Sequence, residues 1–434
     1  MKIKVLLWSI AAVIVVGLIS AGIWWEMRPQ VITFDDDSKL TLLGADYGKH
    51  HRLASTKRQF TSQDDALVVW VRQQYDSQSY HYFQYYLYDK AGTACVMGTP
   101  ASGGGRRGGG SGAGEVVGIQ FPAFPRGDSK FVVAVQENSN DGQEIADQKF
   151  LVSNPARSSS GNWAAQPLPD TEADGELSAT LKKLVAGSKL NFTRDGDDPD
   201  DPINLGAQAT FNVQVSGTNA NNWQPVAITT SDATSNRVDA MSVNSQPQDG
   251  DLVTTFQYAL WPNEPAWKMR VEFSKLTGFD DSELWTVSNL PLQDGRQRDF
   301  WNYSRRGSQT STAVAETDLQ GLHVKILSPR HFTDVPANSN PQGGITIQVT
   351  PSLPDGMRLT LVKLTDDQGN DINHWDYGSN TGRGGGQYRY GLQNIDGVTN
   401  INVVLALHKS HFVEFTAKPD LAPQDKSDQS GQSN

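Results

Sequence analysis

The sequence predicts a mainly β protein, with three tandem β-sandwiches following one N-terminal transmembrane helix. Three observations carry that expectation. A strand pattern recurs along the chain, and beyond the first thirty residues the apolar positions fall in short runs of Val, Ile, Thr, Phe, Tyr and Trp between clusters of Gly, Pro, Asn, Asp and Ser. Such runs between turn formers are the mark of sandwich or barrel strands. The third observation is Val5 to Trp25, 21 residues without a charge, long enough for a membrane-spanning helix.

Taken in order, residues 1–28 are expected to anchor the chain in the cytoplasmic membrane. As a helix, Val5 to Trp25 would extend about 32 Å at ~1.5 Å per residue, close to the hydrocarbon thickness of a bilayer. Lys2 and Lys4 precede it, and Trp8, Trp24 and Trp25 stand at interfacial positions. That flank places the N-terminus in the cytoplasm and the bulk outside it. The alternative is secretion after cleavage at the small residues Ser20-Ala21-Gly22, although the apolar run continues past that site.

The first sandwich is expected over 31–156. It contains GEVVGIQFPAFP (Gly114 to Pro125), a strand from Lys130 to Val135, and the ending FLVSNP (Phe150 to Pro155). The second, over 162–303, repeats these pieces in order as GDLVTTFQYALWP (Gly250 to Pro262), Lys268 to Phe273, and WTVSNLP (Trp285 to Pro291). Such ordered self-similarity marks a duplicated unit. Within the second unit, GELSATLKKLV (Gly175 to Val185) is read as a strand by comparison with SKLTLLGADYG (Ser38 to Gly48), although its spacing also fits an amphipathic helix. The third unit, over 317–418, is a more diverged copy. GMRLTLVKLTDDQGN (Gly356 to Asn370) parallels YHYFQYYLYDKAGT (Tyr80 to Thr93) and WQPVAITTSDATSN (Trp223 to Asn236), each an apolar strand running into Asp and a turn. Its final strand, FVEFTAKP, resembles FLVSNP in position and ending. Residues 419–434 are polar and acidic, and are expected to be disordered.

Composition narrows the function classes. A net charge of -11 argues against a nucleic-acid partner. The single cysteine, Cys95, excludes a disulfide framework and a cysteine-based metal cage. No Gly-x-Ser-x-Gly elbow and no His-Glu-x-x-His occurs, so no catalytic signature is present. The chain is therefore not expected to be an enzyme.

Two constellations are candidate sites. Side chains alternate along a strand, so Tyr80, Tyr82, Tyr86 and Tyr88 are expected to share the outer face of one strand, with His81, Phe83, Tyr85 and Leu87 turned to the core. A tyrosine row of this kind could stack on a glycan or a peptide, or be covered by neighbouring structure. The acidic loop DGDDPDD supplies Asp195, Asp197, Asp198, Asp200 and Asp201, hard oxygen donors that suit Ca2+. It lacks the helix-flanked calcium-loop pattern, since Gly206 stands where glutamate is needed, and reads first as a solvated loop. The glycine-rich segment Ser102 to Gly114 has no phosphate-loop lysine and reads as a connection between strands.

At this level the three units resemble immunoglobulin-like or fibronectin-type-III-like modules, without the Cys-Trp-Cys hallmark of antibody domains. LWPNEPAWKMRVEF (Leu260 to Phe273), SDATSN (Ser231 to Asn236) and LWTVSNLPL (Leu284 to Leu292) also resemble segments of single-anchor bacterial envelope proteins. No activity follows from that resemblance. The expected function is a membrane-anchored, extracytoplasmic array with a structural or binding role. One alternative is a carbohydrate- or peptide-binding module using the tyrosine face, and a third is a hydrolase with a non-standard site.

Overall fold

The computed structural model describes residues 30–422 except 36, 54–57, 75–81, 90–93, 101–113, 139–143, 159–160, 162, 188–205, 217–219, 241–242, 258, 298–299, 301–311, 337–340 and 383–384. The protein is mainly β. The expected fold class is corrected at its N-terminal element: no helix among the described residues is long and apolar enough to cross a membrane. The expectation rested on the hydropathy of Val5 to Trp25, which lies outside the described residues. Within the described chain, apolar side chains alternate with polar ones at the period of strands, as in Asp251–Gln257, where every second residue is buried.

Unit one contains β1 (Val31–Thr33), β2 (Lys39–Arg52), β3 (Gln59–Gln74), β4 (Tyr82–Tyr88), β5 (Ala94–Pro100), β6 (Glu115–Phe121), β7 (Lys130–Asn138) and β8 (Glu144–Ser153). They form one curled antiparallel sheet in the order β1-β2-β3-β6-β5-β4-β7-β8. Leu67, Val69, Ile119, Leu87, Val133, Val135 and Phe150 share its core. Strand β5 passes from β4 to β6 at Gly98, where a Cβ would lie 2.6 Å from the Phe121 ring. Only glycine fits there. The two outer edges are joined by one side chain: Gln30 Nε2 donates to Leu151 O at 2.6 Å while Leu151 N–H donates to Gln30 Oε1 at 2.9 Å.

Unit two begins with β9 (Asp170–Asp174), β10 (Leu177–Gly187), β11 (Gly206–Val215), β12 (Trp223–Asp232), β13 (Arg237–Asp239), β14 (Val243–Gln248), β15 (Asp251–Gln257) and β16 (Trp267–Lys275). The segment Leu177–Gly187, expected as the opening strand of this unit, is a strand paired with β11. Next come β17 (Leu284–Pro291), β18 (Gln293–Gly295), β19 (Ala313–Leu319), β20 (Leu322–Phe332), β21 (Gly343–Thr350), β22 (Met357–Asp366), β23 (Asn373–Gly382), β24 (Gly385–Gln393) and β25 (Asn400–Lys409), and finally β26 (His411–Ala417) and β27 (Asp420–Leu421).

Six strands recur in each unit. The sheet β2-β3-β6 corresponds to β10-β11-β15 and to β20-β21-β24, while β4-β7-β8 corresponds to β12-β16-β26 and to β22-β25-β17. The same turn closes β12 and β22. Asp232 Oδ1 accepts from the backbone N–H of Thr234 and Asn236, and its Oδ2 accepts from Asn236 Nδ2. Asp366 repeats this with Gln368 and Asn370.

The last strands of units two and three are where expectation and structure part. The pairing of Val152-Ser153-Asn154 with Val287-Ser288-Asn289 predicts that β17 lies beside β16. Instead β17 pairs with β25 of unit three, and β26, which follows unit three in sequence, pairs with β16 of unit two from Trp267↔Ala417 to Phe273↔His411. Units two and three have exchanged equivalent strands. Pairing thus crosses the division expected between 303 and 317. Ser410 alone separates β25 from β26, too few residues for a hairpin, so Asn400 to Ala417 runs on from one unit into the other.

Candidate functional site

Chemistry-bearing side chains gather at the joints between units. Phe124 and Pro125 close β6, and their repeat equivalents Trp261 and Pro262 close β15; all four are buried. Phe124 and Trp261 belong to one apolar cluster that runs unbroken from unit one through unit two. Asn236 grips the Phe124 backbone on both sides, donating from Nδ2 to Phe124 O at 2.9 Å and accepting from Phe124 N–H at 3.2 Å. Arg126 is 8% exposed. Its Nη1 donates to Thr234 O at 2.7 Å, and its guanidinium lies 4.3 Å over the Tyr47 ring and 5.1 Å from that of Phe124. Carboxylates surround this contact. Asp89 accepts from Asn263 Nδ2 at 3.2 Å, and Glu264 has its carboxyl pushed up to about 7, first by burial and then by Asp232, Asp128 and Asp89.

The second joint surrounds the continuous run from β25 to β26. Arg358 of β22 reaches Glu272 of β16 through two parallel bonds, Nε to Oε1 at 2.6 Å and Nη2 to Oε2 at 2.7 Å. Arg270 stacks 3.9 Å over Phe412 and pairs with Asp355 at 3.1 Å. Asp174 accepts from Phe412 N–H at 2.9 Å and faces His411 Nδ1 at 3.2 Å. Beside the crossover, His408 is fully buried, 3.1 Å from Thr360 Oγ1 and against the Phe279 ring. Burial holds its imidazole below the usual value of 6.5.

That depression has a sign. The unfolded chain takes up a proton near pH 6.5 while folded His408 stays neutral, so the folded state loses stability as pH falls through 6.5 toward the lower folded value, and is at full strength above it. Chemical denaturation at pH 7.5 and 5.5 is expected to show a lower midpoint at 5.5, with the difference reduced in His408→Gln. An identical difference in that variant would remove His408 from the account.

A third cluster has the outline of a catalytic triad. His51 Nδ1 lies 2.5 Å from Asp46 Oδ1, and its Nε2 lies 3.2 Å from Ser62 Oγ. The surroundings oppose nucleophilic chemistry. Ser62 is 8% exposed, and its hydroxyl donates to Asp64 O at 2.6 Å with Gly48 O and Lys49 O each at 3.3 Å. A nucleophilic serine passes its proton to the imidazole and needs donors around the oxyanion; here carbonyl oxygens crowd that place. Asp46 Oδ2 also accepts from Trp70 Nε1 and Arg52 N–H. The cluster secures the tip of the β2–β3 hairpin, where the register shifts between Gly48 and His50.

Of the sequence candidates, Tyr80 and the side chain of Tyr82 lie outside the described residues, as do Asp195, Asp197, Asp198, Asp200 and Asp201. Tyr86, expected on an outer stacking face, is 4% exposed and donates to Gln84 Oε1. It does not offer an open ring. Tyr88 is half-buried with Lys149 Nζ 5.4 Å from its ring centroid, while Tyr85 and Leu87 are buried in the core. No group of three or more His, Cys, Asp or Glu among the described residues is arranged to hold a metal ion. Sequence reasoning missed Arg126, Asn236 and Glu264; the repeat of Phe124-Pro125 in Trp261-Pro262 was the one local signal near them. No family model matches the chain and no curated protein is similar to it.

Proposed function

We propose that this chain is a multi-unit β scaffold of the cell envelope, acting in a structural or binding role with a protein or glycan partner rather than as an enzyme. The observation that supports the reading is the exchange of β17 and β26 between units two and three. Two units that each complete the other's sheet hold one relative orientation, which suits a spacer or a presenting surface. The buried grip of Asn236 and Arg126 on Phe124 and Thr234 extends that rigidity to unit one. The resemblance of Leu260 to Phe273 to envelope proteins supports the location.

The test is deletion in the cells that make the protein, read as uptake of a dye that an intact envelope excludes. Uptake is expected to rise on deletion and to be restored by the natural chain, but not by Asn236→Ala at equal abundance. A deletion that leaves barrier and cell shape unchanged under envelope stress would overturn the proposal.

A further inference from the structure

We propose that the crossover between units two and three carries a binding cleft for a small apolar carboxylate, with Lys409 as the group that takes its charge. This does not depend on the envelope role.

The cleft lies where the chain passes from β25 into β26. Three segments converge there: the entry to β20 with Gln320 and Leu322, the entry to β22 from Pro354 to Met357, and the crossover itself with Lys409, Ser410 and Phe412. They bound a cleft of about 480 Å³, within the range of about 300–1,000 Å³ that holds small molecules. Its walls are fixed in advance. Ser410 N–H donates to Gly356 O at 2.7 Å, Met357 N–H to Pro354 O at 3.0 Å, and Gln320 Nε2 to Leu407 O at 2.7 Å. Phe412 is held twice, by its N–H donating to Asp174 at 2.9 Å and by the Arg270 guanidinium 3.9 Å over its ring. At Gly356, with φ of +78°, a Cβ would stand 3.0 Å from that ring, so the loop and the ring lie flush.

The lining selects the ligand. Leu322, Pro354, Met357 and Phe412 contribute apolar surface, and Leu322 and Met357 are continuous with the core of unit three. An apolar body gains by leaving water for such walls. The charges are uneven. Asp355 is paired with Arg270 at 3.1 Å, whereas Lys409 is exposed and forms no ion pair with any described residue. An ammonium without a carboxylate from its own chain, set beside apolar walls, suits a ligand that brings one. Asp355 opposes a second negative charge, which favours a monoanion over a phosphate.

Ser410 adds a polar group to the same wall. It is 8% exposed and its Oγ has no hydrogen-bond partner. A buried hydroxyl left unpaired is a standing cost, which a ligand oxygen reaching the crossover would remove. The ligand would touch Phe412 of the strand given to unit two and Met357 of unit three together, so the exchange of strands creates the cleft.

The test is equilibrium dialysis of the full chain against octanoate and phenylbutyrate, each compared with its neutral amide. One equivalent of carboxylate is expected to bind saturably, and the amide about tenfold more weakly, as the loss of a charge-assisted bond predicts. Lys409→Gln, with tryptophan fluorescence confirming its fold, should bind the acid as weakly as the natural chain binds the amide and no longer distinguish the two. Tighter binding of octanoate assigns an aliphatic ligand and tighter binding of phenylbutyrate an aromatic one; both support the cleft. Bound carboxylate should slow amide hydrogen exchange at Gln320 to Leu322, Gly356 to Met357 and Lys409 to Phe412. No saturable binding, equal affinity for acid and amide, unchanged affinity in Lys409→Gln, or slowing confined to other segments would each overturn the proposal.

Discussion

A chain ending at Lys409 is expected to lose the fold of unit two, although every strand of that unit before β26 remains. The removed strand places Val413, Phe415 and Ala417 in the shared core, with the Phe415 ring 5.9 Å from that of Phe211. It also satisfies the backbone edge of β16 over seven residue pairs. Phe415→Ala alone should cost about 3–5 kcal/mol, the usual range for emptying a buried aromatic site. Hydrogen exchange and the fluorescence of Trp223, Trp261 and Trp267 report the loss, with a chain ending at Ala422 as control. Were β17 the closing strand of unit two, the shorter chain would keep those tryptophans buried.

Arg358→Ala is expected to weaken the coupling between units two and three by about 2 kcal/mol. Removing one partner leaves a carboxylate stranded, and for fully buried pairs this costs about 3–5 kcal/mol. The Glu272 side chain is 13% exposed and that of Arg358 36%, so water recovers part of the loss. A double-mutant cycle with Glu272→Gln measures the pair directly in chemical denaturation. Single and double variants that simply add would show that the fork contributes orientation without coupling.

What could be read from the sequence was what is local. The turn from Asp232 to Asn236 and its repeat from Asp366 to Asn370 are set by side chains bonding to backbone two to four residues away, so the same letters give the same turn. The alternation of Trp267, Met269, Val271 and Phe273 likewise announces a strand. Which sheet a strand joins is a different kind of information. WTVSNLP and FVEFTAKP both carry the character of a final strand, and nothing within either segment names β25 or β16 as its neighbour; that choice is made by cores assembled from residues more than a hundred positions apart. The joint is equally hidden, since Asn236 and Phe124 meet across 112 positions. The burial of Tyr86 is hidden for a related reason. Alternation correctly separates two faces of β4, but burial of the second face depends on what packs over it.

The exchanged strand sets a timetable for synthesis. Translation delivers β16 long before β26, because residues 276–410 must be made in between. At ~5–20 residues per second this leaves the edge of β16 without its neighbour for on the order of 10 s. Unit one has all its strands within the first 153 residues and can close at once, whereas unit two waits for nearly the whole chain. During that wait Trp267, Met269, Val271 and Phe273 border an unfilled edge, which is the kind of surface that recruits strands from other molecules. The crossing that locks the finished protein thus leaves its newborn form with an open strand edge until almost the whole chain has been made.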